Sequence, residues 1–271
     1  MSQGYFFIAL GQRYIQECSL LAKTIRKQGD DRPISLLVFE NDIQFAKQYD
    51  LFDQFVVFDV AVIDDIWKDC STGFEKYCLY PRLNFDEYIP YDETIIVDSD
   101  VLCQFNPDHV WSYMSKRHES VGMLGRRSDS NWHWGQINKV STAYGKHVPH
   151  VHGGFFYLRK GPFLKEFFDY AKEVFWNYDR YNCQRAFRGG RVDEIIFAIT
   201  HAYFNMFPVE FDEYPVMTFN YEPTVEIPSK LQTEGGQNIE MSNYIPFIHM
   251  FDKMEGNNFM NLYNKIIDYE V

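Results

Sequence analysis

Apolar positions along the chain alternate between two periods, and the alternation predicts a repeating strand and helix order. Tyr5 to Leu10 is an unbroken apolar run, too short for a helix and suited to a strand covered on both faces. It stops at Gly11. From Tyr14 to Gln28, Ile15, Cys18, Leu21, Ala22 and Ile25 recur at helical spacing, and Gly29-Asp30-Asp31 closes the segment. Ile34 to Phe39 reads as a second buried strand, Ile43 to Tyr49 as an amphipathic stretch, and Gln54 to Phe58 as a third strand. The opening is thus a βαβ unit, with a right-handed crossover and a ligand site expected at the C-terminal edge of the strands.

Further along, Phe74 to Phe85 reads as a helix whose length Pro81 restricts. It leads to Ile95-Ile96-Val97-Asp98-Ser99-Asp100, where three apolar β-formers run into two carboxylates able to face one point. Pro107 to Met114 reads as a short helix and Ser120 to Leu124 as a strand. Gly125 to His150 reads as a long polar and aromatic loop carrying Trp132, His133, Trp134 and Tyr144, and loops of that length in a compact fold are usually functional. His150-Val151-His152-Gly153-Gly154 opens the strand Phe155 to Leu158, and Pro162 begins an amphipathic helix. Asp193, an expected N-cap, and Glu194 start another helix. Met206-Phe207, Val216-Met217 and Phe247-Ile248 are expected short strands among prolines, and Phe259 to Ile267 a final helix.

Composition narrows the chemistry. With 271 residues, 46% apolar and 18% aromatic, the chain supports a large packed core, and no linker or repeat divides it. A net charge of −12 opposes binding to nucleic acid or to an anionic membrane surface. The five cysteines, Cys18, Cys70, Cys78, Cys103 and Cys183, are scattered without metal-type spacing, which suggests free thiols in a reducing compartment. With neither a signal-type start nor a window long enough to span a bilayer, the expected location is cytoplasmic.

The candidate chemistry centres on Asp98 and Asp100, because an oxygen-loving divalent cation needs convergent carboxylates. Taken alone, Asp-x-Asp is more often a polar turn. Arg82, upstream, can pair with one of these carboxylates or reach a substrate phosphate or hydroxyl. The Gly11 loop lacks the three-glycine dinucleotide fingerprint, and Tyr14 is placed either to stack on a base or to pack on the core. His150 and His152 are weak metal-ligand candidates; a hydrogen bond to a substrate hydroxyl suits His152 better. His249, delivered by the run Ile245 to Ile248, gains interest only if it folds back onto Asp98 and Asp100, and Lys253 follows it by four residues.

The order of these motifs resembles the family 8 retaining glycosyltransferases, the glycogenin and lipopolysaccharide galactosyltransferase group, over roughly residues 4 to 255. Ala9-Leu10-Gly11 to Tyr14 is similar to the family's nucleotide-binding loop. Tyr80-Pro81-Arg82-Leu83 is similar to its Tyr-x-Arg-Leu helix, and Asp98-Ser99-Asp100 to its metal motif. His152-Gly153-Gly154 takes the place of Asn-x-Gly, Asp193-Glu194 that of Asp-Gln, and His249 that of the third protein ligand to the metal. Gly11 stands where a carboxylate is frequent, and Lys253 lies outside the family's usual Lys-Pro-Trp context.

The resemblance implies an α/β chain with a GT-A fold, a Rossmann-like, mostly parallel mixed sheet flanked by helices. It further implies one catalytic domain over 1–271, with about 1–124 for the nucleotide, about 125–255 for acceptor and sugar, and 256–271 as a C-terminal helix. The implied function is transfer of a hexose from a UDP-sugar to a glycan or protein hydroxyl, with Mn2+ or Mg2+ held by Asp98, Asp100 and His249. Ala9, Leu10, Gly11, Tyr14, Arg82, Ser99, His152, Gly153, Gly154 and Lys253 are the implied donor contacts, and Glu194, Asp193 and Arg82 the implied catalytic set. A homodimer is compatible with this reading. Two alternatives stay open: a non-catalytic nucleotide-sugar or glycan-binding protein of the same fold, and a nucleotidyltransferase, for which Gly11-Gln12-Arg13 is a poor first loop.

Overall fold

The computed structural model describes residues 1–61, 70, 72–117, 120–127, 137–186, 189–210, 214, 216–218, 245–249 and 258–268. Its strands in chain order are β1 (Gln3–Ile8), β2 (Ile34–Val38), β3 (Gln54–Val57), β4 (Glu93–Val97), β5 (Val101–Cys103), β6 (Val121–Arg126), β7 (His150–Arg159), β8 (Val209–Glu210), β9 (Met217–Thr218) and β10 (Phe247–His249). Seven of them form one sheet in the order β3-β2-β1-β4-β7-β6-β8. Every neighbouring pair is parallel except those involving β7, which runs antiparallel to β4 and β6. The expected mostly parallel α/β sheet is present. A second sheet, β5-β10-β9, stands beside it.

The continuous apolar runs are explained by cover on both faces of the large sheet. Phe6, Ile96 and Phe156 turn toward the layer formed by helices Pro162–Trp176 and Asp193–Tyr203. Tyr5, Phe7, Ile95, Val97, Phe155 and Tyr157 turn toward helices Gln12–Lys27 and Asp108–Lys116. With side chains alternating at period two and both layers apolar, polar positions have no face to occupy. Among the described residues no helix is long and apolar enough to cross a membrane.

Several expectations are corrected. The stretch expected as a long loop from Gly125 to His150 begins with the end of β6 and contains a helix, Ile137–Tyr144, whose buried Ile137 and Val140 sit three apart. Trp132, His133 and Trp134 lie outside the described residues. No strand forms at Met206-Phe207, where Phe207 is half exposed; the pairing falls two residues later, at Val209–Glu210 alongside β6. Asp193 is not the N-cap: Val192 holds that position and Asp193 is the first helical residue.

The helix Asp193–Tyr203 is buried from Asp193 through Ala202, so a polar residue anywhere on it needs an internal partner. His201, fully buried, donates from Nδ1 to the Phe197 carbonyl at 2.8 Å, while its Nε2 finds no partner among the described residues. Burial pulls its pKa down to about 4, against the opposing effect of that hydrogen bond. Below pH 6.5 the unfolded chain therefore takes up a proton that the folded protein refuses until about pH 4, so stability falls with pH across that window. Urea unfolding from pH 7 to pH 4 should show a loss of about 3 kcal/mol from this group, and His201→Phe should remove that part of the slope; an unchanged slope would dismiss the assignment.

Candidate metal and active site

The site is built where the chain passes from one sheet to the other. β4 ends at Val97, Asp98-Ser99-Asp100 turns the corner, and β5 begins the small sheet at Val101. The Asp98 N–H donates to the Gly154 carbonyl at 3.3 Å and the Val101 N–H to the Asp98 carbonyl at 3.2 Å, which fixes the turn at both ends. β10 pairs antiparallel with β5 and places His249 opposite Val101. The fold-back required of His249 is thus made by a strand register. Its Nε2 lies 3.1 Å from Asp100 Oδ1 and 3.9 Å from Asp98 Oδ2.

Asp98, Asp100 and His249 can each offer one ligand atom, all within 4.8 Å of one another. Two carboxylates and one imidazole form a donor set suited to Mn2+ or Mg2+ rather than to thiophilic metals. Ser99, between the two aspartates, points elsewhere: its hydroxyl donates to Glu17 Oε2 at 2.8 Å, and Arg13 Nε donates to Glu17 Oε1 at 3.1 Å. Glu17 thereby ties the turn to the first helix. The sequence reading omits Glu17, although its place four residues before Leu21 on the buried stripe was a usable signal.

Arg82 occupies the centre. The expected helix Phe74 to Phe85 is present as a continuous helical run to Leu83 that contains a π-helical turn, Glu75–Leu79, next to Pro81, which has no N–H for the Tyr77 carbonyl; after Asn84 a short helical turn follows, Phe85–Tyr88. This irregular segment presents Arg82 inward. One terminal nitrogen donates to Asp193 Oδ2 at 2.5 Å and to the Gly153 carbonyl at 2.8 Å, and the other donates to Asp98 Oδ1. Burial opposes the charge on Arg82, but Asp98 and Asp193 more than offset it and hold its pKa well above the ordinary value. Burial pushes Asp98 upward; Arg82 and His249 act against this, while Asp100 and Asp193 add to it.

β7 contributes the remaining wall. His152 and Glu194 are both buried, with His152 Nε2 at 3.8 Å from Glu194 Oε1. The Gly153 N–H donates to Glu194 Oε1 at 3.1 Å, and the Glu194 N–H donates to Asp193 Oδ1 at 3.0 Å. A Cβ on Gly153 would stand 2.8 Å from Asp193 Oδ2, so glycine is required for the close approach of strand and helix. At the same sheet edge, Ala9 is buried, Leu10 nearly so, and Gly11 has a φ of 116° before the helix that carries Tyr14, which is 46% exposed. Lys253 lies outside the described residues. The structure therefore gathers Asp98, Asp100, His249, Arg82, His152, Gly153, Gly154, Asp193 and Glu194 around one corner, with Gly11 and Tyr14 on the adjacent strand end.

Neither a family model nor a curated protein sequence matches the chain. Solved structures do. Mouse xyloside xylosyltransferase 1 in its apo form has a TM-score of 0.58 at 10% identity, covering 93% of this chain and 99% of its own. The galactosyltransferase LgtC in complex with donor and acceptor sugar analogues has a TM-score of 0.55 at 13% identity, covering 96% and 95%. The bifunctional glycosyltransferase WbbM has a TM-score of 0.60 at 12% identity, with 98% of this chain matching 49% of that one. The similar structures include an active-site glutamine-to-glutamate mutant of LgtC. The resemblance read from the sequence is met at the level of architecture: the chain has the GT-A glycosyltransferase fold.

The Arg82 cluster has a measurable consequence. Arg82→Met should lower unfolding free energy by about 3 kcal/mol or more, because two carboxylates lose their shared cation. Arg82→Lys should recover only part, since an ammonium cannot span Asp98, Asp193 and the Gly153 carbonyl together. Equal stability of Arg82→Met and the unaltered protein in urea would refute this.

Proposed function

We propose that the protein is a metal-dependent retaining glycosyltransferase that moves a hexose from a UDP-sugar to a glycan or protein hydroxyl. The observation that carries this reading is the convergence of Asp98, Asp100 and His249 at the sheet edge of a GT-A fold. Ala9, Leu10, Gly11 and Tyr14 form the nucleotide side, where the exposed Tyr14 ring is free to take a uracil face. Asp98 divides its oxygens, Oδ1 toward Arg82 and Oδ2 toward His249, and with Asp100 these are the residues that would hold the metal. When bound, Mn2+ or Mg2+ supplies Lewis-acid stabilisation of the charge that develops on a departing diphosphate.

The protein's own residues supply the rest. Arg82 holds Asp98 and Asp193 in place, and Gly153 and Gly154 keep the wall beside the sugar thin. Glu194 is the carboxylate placed to stabilise, or to attack, the positive charge that builds on the sugar's anomeric carbon. The resemblance puts an amide at this position, so a carboxylate widens the range of available chemistry. Lys253 is proposed as a phosphate contact from the segment after β10. The wider partition into a nucleotide-binding part, 1–124, and an acceptor-binding part, 125–255, belongs to the same proposal, as do a cytoplasmic site of action and a homodimeric form.

Incubation with a panel of UDP-hexoses and Mn2+ should release UDP with at least one donor, and chelation should abolish the release. Asp100→Ala and His249→Ala should each lower turnover by about 100-fold or more. UDP binding without release from any donor would favour a nucleotide-sugar-binding protein instead.

A further inference from the structure

The His152-Gly153-Gly154 segment does more than line the site. His152 Nδ1 accepts the N–H of Gly154 at 3.0 Å, so the ring proton of the neutral imidazole resides on Nε2. That nitrogen faces Glu194 Oε1 at 3.8 Å, and the same oxygen accepts the Gly153 N–H at 3.1 Å. One backbone N–H therefore hydrogen-bonds this carboxylate oxygen, and the His152 ring nitrogen stands beside the same oxygen at a distance longer than a hydrogen bond. The His152 ring also stands nearly perpendicular to that of His249, at 80° with centroids 5.2 Å apart. A Cβ on Gly154 would lie 2.6 Å from His152 Cε1 and 2.9 Å from His249 Cε1, so both rings keep their places only because residue 154 has no side chain.

We propose that His152 is a positioning residue that holds the Glu194 carboxylate by its Oε1 edge, with the two glycines as the backbone half of the same device. This role is an alternative to the expectation that His152 binds a substrate hydroxyl: one ring nitrogen is taken by Gly154, the other stands 3.8 Å from Glu194, and the residue is only 5% exposed. A carboxylate that must meet a reacting carbon loses much of its value when it can rotate, and a misplacement of about 1 Å costs on the order of 100-fold in rate. His152 restricts that rotation. Its contact with the His249 ring carries the same constraint to the proposed metal ligand.

The kinetic consequence rests on the transferase reading, but the placement of His152 does not, and the test separates them. In nitrogen-15 NMR of the Mg2+-loaded protein, His152 should appear as the Nε2–H tautomer, and Glu194→Gln should move its Nε2 resonance. With a turned-over UDP-hexose, His152→Ala should lower kcat about 10- to 100-fold, the range seen when a supporting partner of a site residue is lost, while KM for the donor stays within about 3-fold. The loss should vanish in the Glu194→Gln background and be partly rescued in His152→Gln, whose amide can still offer an N–H. An Nδ1–H tautomer, or an Nε2 resonance indifferent to Glu194→Gln, would overturn the proposal. So would a His152→Ala effect confined to KM and additive with Glu194→Gln, which would assign the imidazole to the substrate. If no donor is turned over, the transferase reading falls and the NMR result alone decides the placement.

Discussion

A single guanidinium holds the corner of the molecule together. Arg82 bridges the end of β4 through Asp98, the start of helix Asp193–Tyr203 through Asp193, and β7 through the Gly153 carbonyl. Three elements far apart in sequence are thereby tied together at one point. Without a central cation, Asp98, Asp100 and Asp193 would crowd like charges into a partly desolvated space, in a chain that already carries a net charge of −12. Arginine suits the position because its rigid fork serves several acceptors at once and keeps its proton. The cost is local: Pro81 breaks the regular ladder and the chain passes through a π-helical turn, which brings the guanidinium inward.

Around that cation, backbone register does the placing. The Asp-Ser-Asp turn lies between two sheets, and the antiparallel pairing of β10 with β5 sets His249 beside Asp100. The candidate metal-holding set owes its His249 to strand pairing and its two aspartates to the short turn between β4 and β5, and sites on regular elements hold their geometry better. Glu17 adds a brace from the first helix to Ser99. The serine between the two aspartates is thus a structural partner of the helix that also carries Tyr14.

How much of this was legible in the sequence differs by residue. The central strands were, because burial on both faces leaves an unmistakable apolar run from Tyr5 to Ile8 and from Ile95 to Val97. Asp98 and Asp100 were, being two residues apart. His249 was not readable from local pattern, since 149 residues separate it from Asp100; only a resemblance in motif order brought it forward. The π-helical widening before Pro81 showed only as a limit on length, because periodicity does not say whether a proline kinks, ends or widens a helix. Helix Ile137–Tyr144 was missed because two buried positions among polar residues carry little periodic signal. The misplaced strand at Met206-Phe207 followed from counting apolar residues where pairing, not hydrophobicity, decides.

The same logic accounts for a carboxylate at position 194, where the family resemblance leads one to expect an amide. A buried carboxylate is costly unless donors converge on it. Here the Gly153 N–H reaches Oε1, the His152 Nε2 faces the same oxygen, and the residue occupies the first turn of a helix, whose dipole favours negative charge. The Gly153 N–H is the hydrogen bond among these contacts, and a carboxylate oxygen accepts it as readily as an amide oxygen would. Histidine at 152 and glutamate at 194 are neighbours in one buried wall, and the absence of a side chain at 154 is the space that lets the imidazole fit.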